Sequence, residues 1–402
     1  MAGPLPRDLP LEALRGLCAL AVLYAHAFAP RPILDPGYTP SRWFWSFDLG
    51  GAAVQMFFIM SGYVIGLTVQ QPCTGPEARR YLFRRLRRLL PVTYAAILVS
   101  WLLVPGTSGH TLAGHFLFLQ NAEPYPVTGW RFDLLPNNPS LWSLNFEAFY
   151  YVGFLAIWWL APPAILVALL LTALCLSPAA GLPVPALVAR HACGGLYWLA
   201  GLGLAWFTPP NTRAQRTHWP SALLCAYALW NFGSLRALLL EHQVDSLLWL
   251  TVASPHRLDF LPATVWCLLA VTGRAPALRR ALAAVCLGWA WFGLARVALR
   301  GEWVDPDWPA AFALVIASGL VAWRPSLASL GRLAPLGTVS FGVYAFGLPL
   351  QLAFPGLLPA FSGSRLTFGL RLLALLVPTF GLAWLVDFRL NRWLAARTRR
   401  WG

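Results

Sequence analysis

Apolar runs of the length that crosses a bilayer, about 17–25 residues, recur from one end of this chain to the other. They predict helical spans near residues 11–29, 49–70, 89–105, 141–160, 163–179, 193–207, 219–239, 247–272, 281–299, 309–323, 335–355 and 366–387. Several are short or interrupted by Pro and Gly. The pattern therefore predicts an all-α fold, a polytopic membrane helix bundle of about 10–12 transmembrane helices. No polar linker or low-complexity tract divides the runs, so residues 1–402 read as one membrane domain with no soluble domain.

Composition strengthens that reading. Hydrophobic residues make up 58% of the 402 and charged residues only 11%, where soluble domains carry about a quarter. The net charge of +15 would suggest a nucleic-acid partner in a soluble protein, but all 30 basic residues are Arg and their placement gives another answer. Arg79, Arg80, Arg84, Arg85, Arg87 and Arg88 crowd the segment after the second span, which the positive-inside rule makes cytoplasmic. Alternation from there puts both termini inside, and the inner segments then hold 19 of the 30 Arg. Nine of the 15 acids fall in outer loops. A multi-pass protein of the cell (inner) membrane, facing the lipid bilayer and no nucleic acid, accounts for the charge.

The start of the chain mimics a signal peptide, with Arg15, a short apolar core and Ala27-Phe28-Ala29. Pro30 directly after the cut and Glu12 ahead of the core argue for a retained span. Seven scattered cysteines show no CxxC and no regular spacing. They read mostly as small buried apolar residues rather than disulfides or metal ligands.

Three ionisable residues interrupt the first span: Glu12, Arg15 and His26. A bilayer makes such groups costly, so a span that carries them puts them to use. On a helix, Arg15 and His26 lie within about 20° of one face and about 16 Å apart in rise. Cys18, Ala19 and Val22 lie between them, giving a narrow wall with a fixed cation low down and an imidazole high up. The plainer reading of Arg15 is an ion pair with Glu12, and of His26 a bond to a nearby carbonyl.

LWSLNFEAFYY, residues 141–151, is the second unusual helix. Ser143, Glu147 and Tyr150 or Tyr151 share one face, so hydroxyls can flank a buried carboxylate. The topology places Glu147 about 9 Å below the outer end of its span, at a depth similar to His26. An imidazole there suits proton transfer. In GGAAVQMFFIMSGYVIG, residues 50–66, small residues permit close helix approach, and Ser61 reads as packing because the glycines of a GxSxG elbow are missing. The Arg cluster ending at Pro91 serves as a topology anchor, and its guanidinium forks could also hold phosphate. GxGxxG, Walker A, HExxH and His-x4-Asp patterns are absent, no metal site is expected, and the His and Asp pairs near 242–245 and 256–259 read as outer-loop residues.

Taken together, these stretches resemble the acyltransferase-3 family of integral membrane O-acyltransferases. The likeness rests on the Arg15-x10-His26 spacing, MFFIMSGYVIG at 56–66, RRLRRLLP at 84–91, LWSLNFEAFYY and, more weakly, LGTVSFGVYAFGLPL at 336–350. Three departures stand out: Glu12 where Asp is usual, Gly347 where a late His is frequent, and Asp387-Phe-Arg where a Glu-x-Pro-like ending is common. The resemblance implies transfer of an acyl group, often acetyl, from acetyl-CoA or another acyl-CoA acting as co-substrate, with no tightly bound cofactor. The acceptor would be a hydroxyl of a cell-surface glycan, a lipid-linked sugar or a small molecule. It implies a catalytic set of His26, Glu147 and Arg15. Substrate contacts would come from Glu12, Arg84, Arg85, Arg88, Trp142, Ser143, Tyr150 and Ser61. The competing expectation is a transporter or flippase for a sugar-lipid or small anion, using the same buried ions.

Overall fold

A computed structural model describes residues 8–29, 33–41, 49–69, 71–121, 123–178, 180–208, 258–282, 284, 299, 330–357 and 359–398. Most of its long α-helices follow apolar runs of the sequence. The helices are α1 (Leu9–Ala27), α2 (Leu49–Thr68), α3 (Gly75–Leu103), α4 (Gly109–Phe116), α5 (Trp142–Leu160), α6 (Ala164–Leu176) and α7 (Ala186–Phe207). After these come α8 (Leu261–Thr272), α9 (Ala334–Gly337), α10 (Ser340–Leu357), α11 (Arg365–Ala383) and α12 (Asn391–Arg397). The predicted spans near 219–239 and 309–323 lie outside the described residues, as do most of the one near 281–299 and the first part of the one near 247–272.

The all-α expectation holds. Among the described residues four helices are long and apolar enough to cross a membrane: α1, α2, α3 and the run from Arg365 to Arg397. Leu330–Gly337 and α10, bent by 62°, make a fifth if taken together. α6 is only 13 residues long. α5 and α7 have the length, but their aromatic and polar content dilutes their apolar character.

One boundary moved. The Arg cluster was expected as a loop ahead of the third span, yet it is the first half of the continuous 29-residue α3, with Pro91 inside it. Thr74 caps the helix by accepting from the Glu77 amide at 3.4 Å, and Pro76 and Glu77 occupy its first turn. Arg and Leu are strong helix formers, and this start is favourable enough to carry the helix through one proline.

The chain divides into two compact units, and α1 passes from one to the other between Arg15 and Gly16. In the first unit α2 packs against α7 at very short range. A Cβ on Gly62 would stand 1.9 Å from the Trp198 carbonyl oxygen, and one on Gly201 would stand 1.9 Å from that of Ile59. Small residues thus bring the two backbones into contact, as the sequence suggested for this stretch. α6 joins α7 through a disulfide, Cys175–Cys193, with Cα atoms 5.0 Å apart. This corrects the reading of the cysteines as apolar fillers for that pair. The spacing of 18 residues matches no motif, and only the antiparallel pairing of α6 and α7 makes the sulfurs neighbours. Cys18, Cys73 and Cys267 are not in disulfides. Arg274 seals the end of α7 by donating to the Thr208 and Ala205 carbonyls, with its guanidinium 5.3 Å from the Tyr63 ring.

In the second unit α10 packs on α11 and α3. Its first turn is held by Asp387, which accepts from the Gly342 amide at 3.1 Å and lies in the π-helical stretch Trp384–Leu390 after α11. The loop that follows α1 is clasped through Asp35, which is fully buried. Its carboxylate accepts from the Gly37 and Gly363 amides and from the hydroxyls of Ser362 and Thr367. Arg371, also buried, donates to the Phe361 carbonyl at 2.7 Å and the Leu34 carbonyl at 3.0 Å. The chain just beyond His26 is therefore fixed to the start of α11.

Candidate active site

On α1 the sequence expectation is realised as one regular helix from Leu9 to Ala27. Cys18, Ala19 and Val22 are buried on it, while Arg15 and His26 keep part of their surface exposed. The plainer reading of Arg15 holds: its Nη2 donates to Glu12 Oε2 at 2.6 Å across one turn. That of His26 does not, because its ring makes no hydrogen bond to any described residue.

Glu147 sits at the middle of a polar and aromatic cluster. The hydroxyl of Tyr151, one turn on, donates to its Oε1. Tyr151 is therefore the tyrosine that reaches the carboxylate. Tyr150 is buried against Phe146, with ring centres 6.5 Å apart, and belongs to the packing of α5. The Arg85 guanidinium lies 5.5 Å from the Tyr81 ring and 5.7 Å from the Tyr151 ring. Tyr81 in turn donates to the Tyr151 carbonyl at 3.3 Å. Cation–π contacts of this kind help hold a guanidinium against aromatic rings. Tyr81, Phe154 and Trp158 continue the α3–α5 seam, which ends where Trp158 Nε1 donates to the Gln71 carbonyl at 2.8 Å. The expected separation of the Arg cluster from Glu147 across the membrane thus shrinks to one intervening tyrosine. The reason is the extension of α3, which lays its arginines alongside α5. Arg84 and Arg88 remain exposed beside the half-buried Arg85.

Ser143 does not flank Glu147. Its Oγ shares a hydrogen bond with the Tyr344 hydroxyl at 2.6 Å, and Tyr344 also donates to the Ser140 carbonyl. Trp142 packs edge-on against Phe146, 5.3 Å away. Around this first turn of α5 lies a buried network that sequence reasoning missed. Asn137 Nδ2 donates to the Ser100 carbonyl at 2.8 Å; Asn138 Nδ2 donates to Ser100 Oγ at 3.1 Å and to the Ala345 carbonyl at 3.0 Å. Ser140 closes it by donating to Asn138 Oδ1 at 2.7 Å. Two adjacent amides just ahead of an apolar helix were the available signal. Nearby, His115 is a structural histidine: its Nδ1 faces the Thr111 carbonyl at 2.9 Å and its Nε2 accepts from the Leu135 amide.

Of the predicted site residues, Glu12, Arg15 and Ser61 belong to the first unit and the others to the second. Ser61, next to Gly62 at the α2–α7 contact, makes no hydrogen bond to the described residues, in keeping with packing. Within the second unit α10 touches both chemical helices. Tyr344 reaches the first turn of α5, and Gln351 donates to the Leu23 carbonyl of α1 at 3.0 Å. Gly347 lies between them, where an added Cβ would stand 2.7 Å from Leu23 Cδ1. These three residues fall within about 60° of one face of α10. His26 is one turn beyond Leu23, and Glu147 is one turn beyond Ser143.

The acyltransferase-3 family model, described as an acyltransferase domain, matches residues 9–388. The chain belongs to that family. It matches no curated protein and no solved structure. As a member of the acyltransferase-3 family the protein is a membrane acyltransferase, and the transporter expectation gives way to that. The match runs from the first helical residue into the π-helical stretch, so it takes in every candidate site residue. Gly347, the departure from the frequent late His, faces the Leu23 side chain of α1.

Proposed function

We propose that this acyltransferase moves an acyl group, acetyl in the simplest case, from acyl-CoA to a hydroxyl of a cell-surface glycan, a lipid-linked sugar or a small molecule. One observation supports a shared site most directly: the single stripe Tyr344–Gly347–Gln351 of α10 contacts both the helix of His26 and the helix of Glu147. His26, with both ring nitrogens uncommitted among the described residues, takes the proton of the acceptor hydroxyl. The oxygen forms its bond to the thioester carbonyl carbon, the carbon–sulfur bond breaks, and the departing thiolate leaves as CoA after protonation. Proton transfer from a positioned imidazole contributes about 10²–10⁴-fold. Glu147, held by Tyr151, supplies negative charge that orients the acceptor or His26. Arg84 and Arg88 offer exposed forks for the donor's phosphates, with Arg85 fixed between two tyrosine rings beside them. Arg15, held by Glu12, is read as a donor-side residue of α1. The Arg distribution supports an inner-membrane protein with cytoplasmic termini.

Replacing His26 with Ala in a producing strain, and weighing its surface glycans and lipid-linked sugars by mass spectrometry, tests the reading. O-acylation should fall to background. Undiminished acylation at normal protein level would remove His26 from catalysis.

A further inference from the structure

Gln351 has more hydrogen-bonding capacity than its contact with α1 uses. It lies on α10 in an otherwise apolar turn and is fully buried. Its Nε2 donates to the Leu23 carbonyl at 3.0 Å, which fixes the plane of the amide. Its Oε1 is buried and accepts from no described residue. A buried acceptor without a donor costs about 1–3 kcal/mol, so native proteins keep very few of them without a use.

The surroundings narrow that use. The carbonyl of a helical residue is flanked by the side chains three and four positions on, which is why Ser and Thr reach back to it. For Leu23 these are His26 and Ala27. The Gln351 amide therefore lies against the turn of α1 that carries His26, beside the small, buried Ala27. His26 for its part has no hydrogen bond to any described residue. An orphaned acceptor and an uncommitted imidazole thus occupy neighbouring turns.

We propose that Gln351 is the positioning residue of His26: its Oε1 accepts the N–H of one ring nitrogen and leaves the other bare to take the acceptor's proton. A rotation of the His26 side chain makes the bond. The second hydrogen bond of a histidine selects its tautomer and so decides which nitrogen can act as base. Here the neutral amide does this through a donor already tied to the backbone of α1, so ring and amide move together. The inference rests on His26 being the base, as proposed above.

The experiment uses the full-length protein in lipid nanodiscs and two variants, Gln351→Met and Gln351→Glu. Met keeps the volume and removes both polar atoms, whereas a protonated Glu keeps a donor for Leu23 and an acceptor for His26. Diethyl pyrocarbonate at pH 7 is the probe, and peptide mass spectrometry reads the carbethoxylation rate at His26 without donor or acceptor present. Gln351→Met should slow that labelling by at least about threefold, because the ring loses the hydrogen bond that holds it and enriches its free nitrogen. It should also lower O-acylation in the producing strain by about tenfold or more, with the thermal midpoint unchanged or raised. Gln351→Glu should restore most of both. Unchanged labelling in Gln351→Met, or equal loss in both variants together with a lowered midpoint, would overturn the proposal in favour of a packing role. Undiminished acylation in His26→Ala would instead sink the assignment of His26 as base, while the labelling result still reports on the Gln351–His26 contact.

Discussion

The α2–α7 seam and the α3–α5–α10 neighbourhood solve the same problem, helix association, by opposite means. At the seam, Gly62 and Gly201 let each backbone press on the other's carbonyl oxygen. Around α5, by contrast, Ser100, Asn137, Asn138, Ser140, Ser143 and Tyr344 bind backbone and one another inside an apolar surround. Dispersion between close backbones needs no directional partner and tolerates no added atom. A polar network tolerates small shifts, because each member has a donor or acceptor to follow, but each member lost leaves another unpaired. The first arrangement makes a rigid frame. The second can hold side chains such as Glu147, Tyr151 and Arg85 in defined places.

The strongest way to break the contrast is Gly201→Val. The new Cβ would overlap the Ile59 carbonyl, and no side chain can yield there. A loss beyond about 4 kcal/mol is expected, seen as failure to recover folded protein in detergent. Normal yield and an unchanged thermal midpoint would mean that the two backbones do not meet.

Next in size is Glu147→Gln, expected to lower acylation by about 10²-fold with little change in thermal midpoint. Tyr151→Phe, which frees the carboxylate but leaves it in place, should cost less. If Glu147→Gln instead melts early and retains acylation per folded molecule, the carboxylate is a packing element.

Asn138→Ala removes three hydrogen bonds, those to Ser100 Oγ, the Ala345 carbonyl and Ser140. About 2–3 kcal/mol of stability should go with them, measured as a lowered thermal midpoint. A change below experimental error would show that water replaces the amide at no cost.

The smallest effect is set by pH. Burial pushes His115 down to about 4 from its ordinary 6.5. A folded value below the unfolded one means stability that is complete above pH 6.5 and is lost as the pH falls toward 4, about 2 kcal/mol of it by pH 5. Asp35 contributes only at lower pH. Burial alone would raise its carboxyl, but hydrogen bonds from Ser362, Thr367, Gly363 and Gly37 outweigh that and hold it below its ordinary 3.8. Its share is present above pH 3.8 and is lost as the pH falls through the folded value. A thermal midpoint that stays flat from pH 7 to 5, unaltered by His115→Gln, would contradict the burial of that ring.

What the sequence made legible follows the range of the interactions. The helices were readable because apolar runs report burial locally, and α1 in particular kept its expected face. The Glu12–Arg15 pair was readable for the same reason, since it depends on neighbours along one helix. The Arg85–Tyr151–Glu147 arrangement was not, because it needs the register of α3 against α5, and Pro91 hid the continuity of α3. Choosing between Tyr150 and Tyr151 needed the same register. Gln351 and Tyr344 acquire meaning only through partners more than 200 residues away. The Cys175–Cys193 bond was equally out of reach, since two cysteines in apolar runs look alike whether or not their helices are paired.

That bond bears on the proposed topology. Thiols facing the cytosol are kept reduced by glutathione and thioredoxin, whereas the periplasm and other exported spaces oxidise them. In the orientation proposed from the Arg distribution, counting helices from the Arg-rich segment puts the end of α6 and the early turns of α7 outside. A covalent staple and a charge bias have no physics in common, and the Cys175–Cys193 bond is compatible with that proposal.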